Sequence, residues 1–316
     1  MTAARVGLRK VWEPALLLIV LLLLVALPYA RPGYTVVLVY TILMYIVLTM
    51  SWVLFSGPTR YLSLAPAAFF GVGIYTSAVL SMKLPLPLMI AIGGLASACL
   101  AFLVGALTLR LKGIYFAIFT FGLVELIKNF VLWYELKFNN TRGRFLIPVD
   151  NNTIYYIMLA ILVALLLTTY FIRRSKYGLA LQSLGEDEEA AAHTGINVTM
   201  LKVITFAISA VFIGAAGAIW AIRLTYIDPY IAFDINNSFM PVLMAIFGGM
   251  GQLYGPILGA TAFSYLREVL ITKFPYHYML LIGIILLLAI LYLPDGLAGL
   301  IQKWQKRRLE KQHVAT

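Results

Sequence analysis

The sequence predicts an all-α polytopic transmembrane helical bundle, and three observations carry that prediction. Of 316 residues, 62% are hydrophobic and 12% charged, and the mean hydropathy is +0.92. Soluble domains sit nearer half apolar and about a quarter charged. The apolar residues fall in recurring runs, most of them close to the ~20 residues a helix needs to cross the hydrocarbon core. The Lys and Arg residues between those runs are unevenly shared between the two sides.

Taken in order, the runs are Ala15 to Ala30, Tyr34 to Phe55, Leu62 to Met82, Pro85 to Leu109, Ile114 to Tyr134, Tyr155 to Ile172, Val203 to Ile222, Phe239 to Phe247, Gly255 to Ile271 and Tyr278 to Leu293. They give about ten spans. Two are irregular: Leu62 to Met82 is interrupted by Pro66, Gly71 and Gly73, and the run from Phe239 is short. The first run is read as a retained helix, because Pro28, Tyr29 and Arg31 make a poor small-residue cleavage site. With the amino terminus inside, the inner side collects Arg5, Arg9, Lys10, Arg60, Arg110, Lys112, Arg173, Arg174, Lys176, Lys202 and the tail from Lys303 to Lys311. The outer side holds the sparser set Arg31, Lys83, Lys137, Arg142, Arg144, Arg223 and Lys273. Both termini are thereby expected in the cytoplasm. The net charge of +11 reads as topology and contact with anionic membrane lipid, and no nucleic-acid partner is needed to explain it.

Several chemistries have no support. No G-x-x-x-x-G-K-[ST] phosphate loop occurs, so the chain is expected to lack an ATPase site of its own. The three histidines, His193, His277 and His313, stand far apart without H-E-x-x-H, and the lone Cys99 can form no internal disulfide. No catalytic residue, metal or bound cofactor is expected.

Charges within apolar runs are costly and are candidates for function. Glu125 and Lys128, three residues apart, share a helix face and read either as a structural pair or as polar lining at an outer mouth. Arg267 and Glu268 lie near enough to the end of their run to snorkel. In GGMGQLYGPILGA, Gly251, Gly255 and Gly259 recur every four residues and would align on one helix face; Ala210, Gly214 and Ala218 repeat the spacing. Close packing explains this, but Gly248, Gly249 and Pro256 also break regular helix, which leaves a broken helix or gate open. YLSLAPAAFFGVGIYT, Tyr61 to Thr76, is the other irregular segment. One Gly/Pro-interrupted segment in each half is the pattern of a transporter built from internal repeats.

Between two apolar runs lies a polar island, Ser175 to Asn197, with Glu186, Asp187, Glu188 and Glu189 in succession. Acids favour a helix start, Ala190, Ala191 and Ala192 extend it, and Gly195 can end it. A short helix from Glu186 to Gly195 is expected, either solvated or docked on a cytoplasmic partner that supplies the missing phosphate loop.

The run SKYGLALQSLGEDEEAAAHTGINVTMLKVITFAISAVFIGAAGAIWA, together with LRLKGIYFAIFTFGLVEL and YIDPYIAF ahead of the GGMGQLYGPILGA segment, resembles the LivM-type permeases of branched-chain amino acid ABC importers. More broadly, it resembles the inner-membrane permeases for branched-chain amino acids, urea and ribose. The resemblance implies a multi-pass permease at residues 1–316, with a cytoplasmic coupling loop at 173–202 and a basic tail at 303–316. It implies a second homologous permease, two cytoplasmic ATPase subunits using ATP and Mg, and an extracytoplasmic solute-binding protein. On that basis Glu186, Asp187, Glu188, Glu189, Ala190, Ala191 and Gly195 are the ATPase-coupling helix. Gly248, Gly249, Gly251, Gly255, Pro256 and Gly259 are packing or gate residues, and Ser63, Pro66, Phe69, Gly71, Gly73, Tyr115, Thr120 and Glu125 are path-lining candidates. The chain departs from the family pattern at Ala65 and Pro66, where a Gly-His pair is common, and at Asn139 to Leu146, where NNTRGRFL replaces a TGG-type motif. Urea, nucleosides and other small solutes are the alternative cargoes, and a self-contained carrier or channel is the alternative mechanism.

Overall fold

A computed structural model describes residues 22–300 apart from 30–32, 82, 110, 112, 253 and 293–295. Part of the predicted first helix, both termini, the tail at 303–316 and the charges Arg110 and Lys112 lie outside the described residues.

Helix accounts for 82% of what is described, as the composition requires. The order is α1 (22–29), α2 (Tyr34–Thr59), α3 (Pro66–Leu80), α4 (Leu86–Thr108), α5 (Ile114–Tyr134) running on into a π-helical turn (Glu135–Asn139), then β1 (Arg144–Phe145) and α6 (Asn151–Arg174). It continues with α7 (Lys176–Glu186), α8 (Glu188–His193), α9 (Val198–Ala221), β2 (Tyr226–Ile227), α10 (Pro229–Ala232), α11 (Asn236–Gly248), α12 (Tyr254–Lys273), α13 (Tyr278–Tyr292) and α14 (296–300). Among the described residues, six helical stretches are long and apolar enough to cross a membrane. The predicted count of about ten is not reached by that measure. The run from Leu62 shortens to the 15 residues of α3 because the chain stays out of helix until Pro66, whose ring suits a helix's first position. The run from Phe239 lengthens instead, since Pro229–Gly248 forms one apolar stretch of 20 residues. The 20-residue α12 has the length but carries Arg267, Glu268 and Lys273.

Helix α9 is central, packed against α4, α3 and α2. The close approach uses the small residues of the Ala210, Gly214, Ala218 face: a Cβ on Gly73 of α3 would collide with the backbone of Gly214, and one on Gly93 of α4 would come 2.8 Å from the Ala218 Cβ. Without side chains at the crossing, backbones meet directly, and dispersion acts over the whole contact. Large apolar side chains remain exposed on α5 and α13, among them Ile118, Leu126, Phe130, Leu280 and Leu287, as expected of faces turned to hydrocarbon or to another subunit.

A feature absent from the sequence prediction is a two-stranded antiparallel ribbon, β1 with β2, in which Arg144 opposes Ile227 and Phe145 opposes Tyr226. Arg142 bonds Asp228 at 2.9 Å beside it. Buried Glu135 accepts from the Gly143 N–H at 2.9 Å and from the Tyr75 hydroxyl at 3.4 Å, with Arg144 Nε 3.6 Å away. The ribbon thus ties the α5–α6 and α9–α10 connections together.

Candidate functional site

The first component is a break in the helical backbone. Helix α2 ends at Thr59, Arg60 turns through the left-handed region, and residues 60–65 lead to α3 without regular structure. Tyr61, Ser63 and Ala65 are buried. Backbone groups out of the helical ladder and away from water must find other partners. Here side chains of three helices supply them. Trp52 of α2 donates its indole N–H to the Ser63 carbonyl at 2.7 Å. The Leu64 N–H donates to Thr120 Oγ1 of α5 at 2.9 Å. Ser238 of α11 donates to the Leu64 carbonyl at 2.8 Å and accepts from the Ala67 N–H at 2.9 Å. Thr120→Val keeps the shape and removes the acceptor, so about 1–3 kcal/mol of stability should be lost. Thr120→Ser should retain most of it. Thermal unfolding in detergent reads the difference, and equal melting of the two variants would refute this account of the segment.

The second component is the polar island, which folds as two helices. The predicted single helix from Glu186 to Gly195 is corrected: Glu186 closes α7, and Asp187, extended at φ −152° and ψ 114°, caps α8 by accepting from the N–H groups of Glu189 and Ala190 at 2.9 and 3.0 Å. A capping carboxylate needs non-helical backbone of its own, which places it outside the helix it starts. Leu181 and Leu184 of α7, Ala191 of α8, and Val198 and Leu201 of α9 form a small separate core. The Tyr177 hydroxyl bonds the Leu201 carbonyl at 3.0 Å and Thr205 Oγ1 at 2.7 Å; burial raises its pKa above the ordinary phenol value. Gly185 seats α7 on the end of α2, where a Cβ would collide with the Pro58 carbonyl. Glu186, Asp187, Glu189 and Ala190 are exposed, while Gly195 follows α8 at φ 85°.

Glu188 joins the two components. Its Oε1 accepts from Lys202 Nζ at 2.9 Å and its Oε2 from the Tyr61 hydroxyl at 2.7 Å. Lys202, at the start of α9 and with a side chain only 2% exposed, also donates to Tyr61 Oη at 3.2 Å and to the Leu109 carbonyl at 3.0 Å. All three ammonium donors are engaged, as a buried cation requires. The sequence reading placed Lys202 only among inner-side charges and assigned no role to Tyr61, Trp52 or Ser238. The partners stand at 61, 109 and 188, so no local pattern marks them.

The remaining predicted residues divide. Pro66 opens α3, and the buried Phe69 ring packs edge-on to Phe206 at 5.1 Å. Gly71 lies against the Phe233 ring. Tyr115 stands apart, 70% exposed on α5. Glu125 pairs with Lys128 at 2.6 Å on the same helix. Arg267 donates to the Tyr45 hydroxyl at 3.0 Å, and Glu268 accepts from Tyr34 at 2.7 Å.

The glycine segment is corrected in part. Gly251 lies exposed in the turn between α11 and α12 with open space about it, and Gly248 takes its place: a Cβ on Gly248, Gly255 or Gly259 would collide with backbone across the α11–α12 hairpin. Gly249, at φ 91°, leaves α11, and Pro256 sits in the first turn of α12 without breaking it. Among the described residues no group of three His, Cys, Asp or Glu side chains gathers as metal ligands would.

Fold and composition define a multi-pass helical membrane protein. Residues 34–290 match the family described as branched-chain amino acid transport system / permease component, and the chain belongs to that family. It is 29% identical to the high-affinity branched-chain amino acid transport system permease protein LivM of Escherichia coli, over 89% of this chain and 74% of that one. The permease protein LivH of the same description from Salmonella typhi is 28% identical over 43% of this chain and 44% of its own. The ribose import permease protein RbsC of Haemophilus influenzae is 27% identical over 39% and 40%. No solved structure matches.

Proposed function

We propose that this chain is one permease half of an ATP-binding-cassette importer of the inner membrane, with α7 and α8 facing the cytoplasm and α8 docking on a separate ATPase subunit. The single observation that supports this most is the construction of α8. It is too short to be a stable helix alone, yet it is capped, given its own small core and anchored by a buried ion pair, while Glu189 and Ala190 stay exposed. Such a platform presents a fixed shape to a partner, as binding with little ordering cost requires. A second permease, two ATPases using ATP and Mg, and a solute-binding protein complete the assembly. Branched-chain amino acids are the leading cargo because the family and LivM carry that description; the partial match to RbsC supports a second reading, a sugar or another small polar solute.

The test is reconstitution with the ATPase, partner permease and binding protein. Glu189→Lys and Gly195→Leu should insert normally but lower substrate-stimulated ATP turnover, roughly tenfold where one charge-assisted contact is lost. Unchanged turnover in both would remove the docking role. Ion-driven uptake by the purified chain alone would replace the importer by a self-contained carrier.

A further inference from the structure

We propose that Lys202 and Tyr61 form a strut through which movement of α8 is delivered to the broken segment 60–65 and so to α3; this rests on the reading of α8 as the docking helix. The argument begins with what the strut joins. Glu188 of α8 reaches inward, and both its oxygens are held, one by Lys202 and one by Tyr61. Lys202 is anchored on two further sides, to the end of α4 at the Leu109 carbonyl and over the Tyr61 ring, 4.6 Å from its centroid.

Hydrogen bonds of 2.7 to 3.2 Å weaken steeply once stretched by about half an ångström. A displacement of α8 therefore either carries Tyr61 with it or strands a buried ammonium, and the second is far the more costly. Tyr61 opens the non-helical run that leads to Pro66. A run this short, held along its length at Ser63 and Leu64, has little slack to absorb a pull. Along that run, Ser63 and Leu64 are bonded to Trp52, Thr120 and Ser238 on three different helices. These are single side-chain bonds rather than a helical ladder, so the segment can shift by exchanging a few of them. Helix α3 beyond it meets α9 backbone to backbone at Gly73 and Gly214, and meets the Phe233 ring at Gly71. A shift at Pro66 is thus passed to the helices around α3 rather than lost in loose packing.

Helix seating alone would not need this arrangement. Leu181, Leu184 and Ala191 already hold α7 and α8, and a Met at 202 would fill the volume without burying a charge.

The experiment measures solute transported per ATP hydrolysed in proteoliposomes holding the complete complex. Tyr61→Phe keeps the ring, its edge contact with Phe116 at 5.6 Å and its place under Lys202, and removes only the hydroxyl. Lys202→Met removes the charge. Each should still assemble and should lower the ratio by about tenfold, the effect of losing one hydrogen bond to a charged group. A wild-type ratio in both, a proportional fall of transport and ATP turnover together, or failure of both to assemble overturns the strut. The importer reading fails separately, and visibly, when the wild-type complex itself shows no ATP-driven transport; that result removes both.

Discussion

Gly255→Leu is expected to be among the most damaging single substitutions in the chain, and Gly251→Leu, four residues earlier in the same glycine pattern, among the mildest. At Gly255 even a Cβ would collide with the Gly249 carbonyl and lie 3.0 Å from that of Gly248. Backbone cannot rotate away as a side-chain tip can, so α11 and α12 must separate. Overpacking of this kind costs about 3 kcal/mol, and the loss of contact spreads along the hairpin, since a Cβ on Gly259 would also collide with the backbone of Met244 and Gly248. At Gly251 nothing lies within 4 Å, the residue is exposed in the turn and its φ is not positive. The change there should fall within about 0.5 kcal/mol. Melting temperature and monodispersity in detergent compare the pair directly. Equal behaviour of the two variants would show that the hairpin contact is not built as described.

That pair also marks how far the sequence could be read. Four-residue arithmetic puts Gly251, Gly255 and Gly259 on one face only if one helix contains all three, and α12 begins at Tyr254. The apolar class was legible because burial in lipid needs long uninterrupted runs, which composition shows directly. Where the backbone leaves the helix inside such a run was not. Between Tyr61 and Ala65 the residues are ordinary bundle residues, and what permits a non-helical chain is the indole of Trp52 together with the hydroxyls of Thr120 and Ser238, the latter two set far away in sequence. Asp187 was within reach: an Asp ahead of two acids and three alanines carries the signature of a cap. Reading four acids as one helix start overlooked that the capping residue must itself be extended. Lys202 was beyond reach, because a lysine at the edge of an apolar run looks the same whether it snorkels or is buried.

Glu188→Lys should release α8 from the bundle while leaving the other helices folded. The substitution sets a second ammonium against Lys202, which is 2% exposed, and removes both acceptors that Lys202 and Tyr61 now use. Breaking a buried pair typically costs about 3–5 kcal/mol. Glu188 keeps 26% of its side-chain exposure, so its replacement can swing outward, and about 2 kcal/mol is the expected loss after that discount. Limited proteolysis should then cut within residues 187–197 faster than in the wild type. The charge swap, Glu188→Lys with Lys202→Glu, distinguishes a simple ion pair from the wider network. An isolated pair would recover fully. Here a carboxylate at 202 would face the Leu109 carbonyl, which accepts from Lys202 at 3.0 Å and has no proton to offer in return. Two acceptors in that buried position repel, and the Tyr61 hydroxyl can satisfy only one oxygen. Recovery should therefore stop short of half. A swap that restores wild-type protease resistance would show that the bond to Leu109 contributes nothing and that α8 is held by the pair alone.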